Sequence, residues 1–209
     1  MDIKDLQNRE NPNKEYYQKL IADLEKRNFC KLSTPYADQW SDDMQLNRNI
    51  IDIFKNKLKG KVLVDLGCGQ YLQHFDACAQ QNSYTLNLAR KLQVKSYIGV
   101  DKFIELNDLE DFNSKSLDAI IVKADMLDFV SKLPDNSVNF TINGIDGVVI
   151  LNCDKYAQAV AAEMVRATLP KGIIFGIRSE PTEFLKSNPE EHKLNVLYER
   201  SNGYMFEKR

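Results

Sequence analysis

Apolar residues in this chain recur at two intervals, and the switch between them predicts the architecture. From Glu15 onward Tyr17, Leu20, Ile21 and Leu24 fall three or four positions apart, which places them on one face of a helix. Met44, Ile51, Phe54 and Leu58 predict a second helix. Between the two, Ser33 to Trp40 is a proline-containing joint carrying two large aromatics, Tyr36 and Trp40. After Gly60 the pattern changes to short apolar runs. Lys61 to Asp65, Tyr97 to Asp101, Ala119 to Val122, Val138 to Ile142 and Gly172 to Ile177 predict five buried strands, separated by stretches able to form helices. The clearest such helix covers Tyr156 to Thr168, with Tyr156, Val160 and Met164, and with them Ala157, Ala161 and Val165, turned toward the sheet.

Alternation of this kind predicts parallel strands with right-handed crossovers. The C-terminus breaks it. Leu194 to Glu199 and Tyr204 to Glu207 read as strands joined through Ser201-Asn202-Gly203, and Asn-Gly is a strong hairpin signal. An antiparallel pair therefore closes an otherwise parallel sheet.

Composition narrows the function classes. The 209 residues, 43% hydrophobic and 28% charged, suit one globular domain with small additions. A formal net charge of −2 gives no summed positive field to hold a long polyanion, which counts against a nucleic-acid partner. Arg90, Lys91 and Lys95 read as a solvated helix face. Cys30, Cys68, Cys78 and Cys153 lie far apart with no C-x-x-C pair, which argues against a zinc ribbon or a disulfide framework and fits a reducing cytoplasm. The polar stretch Met1 to Lys14, with no apolar run of roughly 18 residues anywhere, predicts neither secretion nor membrane insertion. With two distant histidines, His74 and His192, and scattered cysteines, no metal is expected. His192, beside a charged turn, is expected at the surface.

The chemistry concentrates at Val64-Asp65-Leu66-Gly67-Cys68-Gly69, a strand running directly into a glycine turn. Glycine tolerates positive φ and lets a ligand approach the backbone. A carboxylate just before the turn suits a ligand with a positive amino group better than a pyrophosphate, which it repels. In these residues the chain resembles the class I S-adenosylmethionine-dependent methyltransferases, whose first motif, D-x-G-x-G, is matched by Asp65, Gly67 and Gly69 with Cys68 between the glycines. The resemblance runs from about Tyr36 to Arg209. It implies an α/β fold: a Rossmann-like, doubly wound, mostly parallel seven-stranded sheet with a C-terminal antiparallel hairpin and an N-terminal helical cap. Residues 1–59 would form the cap or lid and residues 60–209 the cofactor-binding domain.

The resemblance also implies roles. The glycine turn would pass beneath the methionine part of the cofactor S-adenosyl-L-methionine, with Asp65 helping to hold its amino end. Asp101, ending the next strand with Lys102 beside it, would clamp both ribose hydroxyls. Asp125 would bind the adenine amino group, with Met126 donating a backbone N–H and covering the ring. Thr168-Leu169-Pro170-Lys171-Gly172 is similar to the family's L-x-P-G-G signal, with Lys171 and Gly172 where paired glycines are expected. Two features depart from the pattern. Gln70-Tyr71 follows where a third glycine is frequent, and the crossover from Gly69 to Asp101 is long. Its excess, Tyr71 to Tyr84 with His74, Phe75 and Cys78, is either part of a lid or acceptor pocket or an inserted surface loop.

On the acceptor side, Asn143-Gly144-Ile145-Asp146-Gly147 follows the fourth strand, where ligands meet the carboxyl edge of an open sheet. This departs from the N-P-P-Y pattern of methyltransferases that modify exocyclic or amide nitrogens in DNA, RNA and glutamine. Asn143 and Ile145 are candidate wall residues for cofactor and acceptor. Methyl transfer is an in-line displacement in which alignment does much of the work. Where a base is needed, Asp146 and His74 are the candidates. Tyr36 and Trp40 resemble aromatics that fold over the cofactor in small-molecule methyltransferases, and aromatic faces attract a sulfonium; packing the helical cap onto the domain is the other reading. The sequence reading is therefore a methyltransferase with a small-molecule acceptor. Its rivals are a non-catalytic S-adenosylmethionine-binding subunit or sensor, and a nicotinamide-dependent oxidoreductase, which would need a third glycine where Leu72 stands.

Overall fold

In the computed structural model, which describes residue 7 and residues 9–26, 48–68, 89, 92–104, 119–143, 154–177, 179–200 and 203–209, the apolar runs after Gly60 form the expected strands. These are β1 (Val62–Leu66), β2 (Ser96–Asp101), β3 (Ala119–Lys123), β4 (Asn139–Asn143) and β5 (Ile173–Ile177), followed by β6 (Leu194–Arg200) and β7 (Gly203–Lys208). They make one seven-stranded sheet in the order β3-β2-β1-β4-β5-β7-β6. Pairing among the first five is parallel, and β7 runs antiparallel to both β5 and β6. The terminal strand thus slots inside its hairpin partner. Gly203 belongs to the strand rather than to the turn: it pairs with Ile177 on one side and Arg200 on the other, so only residues 201–202 link the hairpin.

Helices cover both faces. α1 (Lys14–Glu25), α3 (Met126–Lys132), α4 (Asp154–Ala167) and α5 (Glu180–Ser187) lie on one face, and α2 (Arg48–Leu58) on the other. The helical spacing read from the sequence holds in the packing. Tyr17, Leu20, Ile21 and Leu24 of α1 are buried, as are Tyr156, Ala157, Val160, Ala161 and Met164 of α4, while Val165 is half-buried. On the second face Phe54 and Leu58 are buried, and Phe54 meets Phe175 of β5 edge-on with ring centroids 5.1 Å apart. Met44 lies outside the described residues. His192 is half-buried rather than exposed, because the turn after α5 lays its ring against Phe184 at 5.4 Å.

Polar groups fix the direction of α1. Where α3 ends, Arg9 and Asn11 both donate to the Ser131 carbonyl, at 3.2 and 3.0 Å. At the far end of α1, Glu25 pairs with Lys102, the residue after β2. α1 therefore runs from the amino edge of the sheet to its carboxyl edge. α2 runs the other way, since its last turn pairs Lys57 with Glu207 and leads through Gly60 into the start of β1. α1 ends and α2 begins at the same edge, on opposite faces.

Candidate functional site

Parallel register gathers the expected acids at that carboxyl edge. Asp65 of β1 lies opposite Gly99 and Leu66 opposite Val100, so Asp101 is level with Gly67. Asp101 in turn lies opposite Lys123, the end of β3, and Asp125 follows two positions later. Backbone hydrogen bonds carry the sheet into the turns. Ala124 N–H donates to Asp101 O at 3.2 Å, and Gly67 and Cys68 N–H groups both donate to Val100 O, at 2.8 and 3.3 Å. The glycine turn is thereby drawn toward β2. Gly67 has φ +74°, the left-handed region that a side chain disfavours.

Asp65 is buried on the face that carries Leu63, and the Tyr97 hydroxyl donates to its Oδ2 at 2.5 Å. This ties the base of the turn to β2 from beneath. Cys68, beside Gly67, packs its sulfur over β2, which is possible because residue 99 is glycine. A Cβ on Gly99 would fall 2.9 Å from Cys68 Sγ and 2.5 Å from Ile121 Cδ1. Burial there, then the charges of Asp65 and Asp101, push the Cys68 thiol well above its usual range, so it stays protonated near neutrality.

Asp101 is partly exposed, and its Oδ1 accepts from Phe103 N–H at 2.8 Å, a turn that holds the carboxylate at the rim. Lys102 extends toward Glu25, with Nζ 3.4 Å from Oε1. Asp125 caps α3: Oδ1 accepts from Leu127 N–H at 2.8 Å and Asp128 N–H at 3.3 Å. A third donor, the Tyr156 hydroxyl of α4, reaches the same oxygen at 2.9 Å. Burial raises the Asp125 carboxyl above its ordinary value, opposed by these hydrogen bonds and by the charge of Lys102. Met126, half-buried, opens α3 beside it, and Asn143 ends β4 at the same edge, one residue beyond the Ile142 that pairs with Leu66.

Asp65, Gly67, Cys68, Asp101, Lys102, Asp125, Met126 and Asn143 thus meet along the ends of four adjacent strands. Gly69, Tyr36, Trp40, His74, Ile145 and Asp146 lie outside the described residues. Tyr97 and Tyr156 were not expected from the sequence. Tyr97 is legible only once register pairs Asp65 with Gly99, and Tyr156 has the spacing of an ordinary core residue. Two partly exposed carboxylates, one ending β2 and one just beyond β3, accept hydrogen bonds and repel phosphate, so the rim suits groups that donate hydrogen bonds or carry positive charge. Among the described residues no group of three or more His, Cys, Asp or Glu side chains gathers to hold a metal, and no helix is long and apolar enough to cross a membrane.

No protein-family model and no curated protein matches the chain. Solved structures do match in fold. A Streptococcus mutans protein assigned as a methyltransferase, in complex with SAH, superposes with TM-score 0.51 at 10% identity, covering 78% of this chain and 97% of its own. The N-methyltransferase NodS from Bradyrhizobium japonicum gives 0.51 at 10% identity over 83% and 98%. A Clostridium thermocellum protein assigned as an rRNA methylase gives 0.50 at 13% identity over 78% and 95%. The fold is that of the class I S-adenosylmethionine-dependent methyltransferases. One fold carries names that point to different acceptors, so the acceptor is not a property of the fold.

Proposed function

We propose that this protein is an S-adenosylmethionine-dependent methyltransferase acting on a small-molecule acceptor. The observation that carries the reading is the alignment of Asp65 and Gly67, Asp101 and Asp125 at the ends of β1, β2 and beyond β3, on a sheet of this topology. Asp101 would hold the ribose hydroxyls and Asp125 the adenine amino group, with the Met126 N–H and side chain against the base. The turn at Gly67, Cys68 and Gly69, braced by Asp65, would bear on the methionine end, with Lys102 and Asn143 completing the wall. Tyr36 and Trp40 would cover the cofactor, as the sequence resemblance implies. When bound, the cofactor supplies a methyl group activated by a sulfonium, and the residues of this chain need mainly to align it with the acceptor. The net charge of −2 and the acidic rim favour a small acceptor over a polyanion, and cysteine usage favours the cytoplasm.

Calorimetric titration with S-adenosylmethionine and S-adenosylhomocysteine tests the reading. Micromolar binding is expected, weakened by about tenfold to a hundredfold in Asp101→Ala, the scale of hydrogen bonds to a charged acceptor. Wild-type protein that binds neither compound would overturn it. Binding without turnover on any acceptor would favour the non-catalytic sensor.

A further inference from the structure

We infer that Tyr156 is a positioning residue that sets the base specificity of this site: by holding Asp125 Oδ1, it makes the outward oxygen of that carboxylate an acceptor reserved for a 6-aminopurine over a 6-oxopurine. The inference rests on the function proposed above and deepens it.

Three donors converge on one oxygen of Asp125. Two are the backbone N–H groups of Leu127 and Asp128, and the third is the Tyr156 hydroxyl at 2.9 Å. Oδ2 accepts from no described residue, and Asp125 is partly exposed. An N-cap needs only the backbone donors. The tyrosine arrives from α4, 31 positions along the chain, and its ring is 1% exposed, so packing on the sheet fixes where its hydroxyl stands. With one backbone bond short and the other long at 3.3 Å, the cap alone would leave the carboxyl group free to swing about its last torsion. The hydroxyl supplies the third point and so fixes the inward and outward oxygens. An ionised carboxylate is an acceptor only. Its outward oxygen accepts from an exocyclic amino group and repels an exocyclic carbonyl.

The same geometry dictates an inversion. In Asp125→Asn the amide must turn its oxygen inward to satisfy the three donors, which points its NH₂ outward. A donor then stands where an acceptor stood, and the 6-oxo base becomes the matched ligand.

The probes are S-adenosylhomocysteine and its 6-oxo analogue S-inosylhomocysteine, titrated calorimetrically. Wild type is expected to prefer the adenosyl compound by at least about 30-fold, because the mismatched base leaves buried polar groups unpaired. Tyr156→Phe should shrink that preference by about 3- to 10-fold, the worth of one hydrogen bond. Asp125→Asn should reverse it. Tyr17→Phe, which deletes another buried tyrosine's hydroxyl, bonded to the opposite end of α4, should leave the preference unchanged. An unaltered preference in Tyr156→Phe, or an Asp125→Asn protein that still prefers the adenosyl compound, overturns the inference while leaving the proposed function standing. A wild type that binds neither compound overturns both.

Discussion

The two edges of the sheet treat polar side chains in opposite ways. At the amino edge they are spent on one another. Glu163, 4% exposed, accepts from the Tyr17 hydroxyl at 2.8 Å and from Arg166 Nε at 2.6 Å, with Arg9 and Asn11 each at 3.4 Å. Arg166 reaches on to Asp135 and the Val130 carbonyl, Lys208 donates to the Arg166 and Thr168 carbonyls at the end of α4, and buried Asn139 joins β1 to β5. At the carboxyl edge Asp101 and Asp125 are both partly exposed, and the bonds to Asp125 from its own turn and from Tyr156 all fall on one oxygen. An edge that satisfies itself stabilises the fold. An edge that leaves carboxylates partly exposed contributes less to it.

The largest test of this contrast is Glu163→Ala. It removes the shared anion and leaves the buried Tyr17 hydroxyl and Arg166 Nε without their acceptor, while Arg166 keeps Asp135 and the Val130 carbonyl, a change of roughly 3 kcal/mol, or about 10 °C in melting temperature for a chain of this size. Affinity for S-adenosylhomocysteine should be unchanged. A melting curve superimposable on wild type would mean that the network is decoration, and the contrast between the edges would fall.

A smaller effect follows from pH. Burial and the Glu163 carboxylate raise the Tyr17 hydroxyl from 10.0 to about 12. The folded protein therefore retains a proton that the unfolded chain releases above pH 10. Stability from this group is complete below about pH 10 and is lost as the pH rises to about 12, by up to roughly 2 kcal/mol. Tyr17→Phe has no such proton, so its alkaline unfolding profile should be flatter than that of wild type over this window. Parallel profiles would show that Tyr17 titrates normally and that α1 is not anchored through it.

Much of this was legible in the sequence because it depends on period and position. The strands after Gly60, the buried stripes of α1 and α4 and the C-terminal hairpin follow from spacing, and the acids beyond the strands were singled out by the family resemblance. What was not legible depends on pairing between distant segments. No local pattern says that β7 slots between β5 and β6, that α1 and α2 cover opposite faces, or that Tyr97 and Tyr156 spend their hydroxyls on the site's acids. Lys171 is instructive. The resemblance led to the expectation of glycine there, and the backbone does adopt φ +58°, so the lysine occupies the glycine conformation because the turn from Leu169 to Gly172 requires it. Sequence found the turn and missed that a side chain could tolerate it.

The finest test sets Asp125 against the amino edge on the same scale. Its carboxyl is raised by burial, so the fold binds that proton more tightly than the unfolded chain does. With the folded value above the unfolded one, the contribution of Asp125 is most favourable below the ordinary carboxylate range and declines as pH rises through the raised value. At neutral pH the ionised group is therefore held at a cost. Asp125→Asn keeps an oxygen for the α3 cap and removes the charge, so the unliganded variant should melt at or above the wild-type temperature at pH 7 and lose that advantage on acidification. Glu163→Ala moves the other way at the opposite edge. If Asp125→Asn instead melted well below wild type at neutral pH, the charge itself would be stabilising, and the carboxyl edge would belong to the fold as fully as the amino edge does.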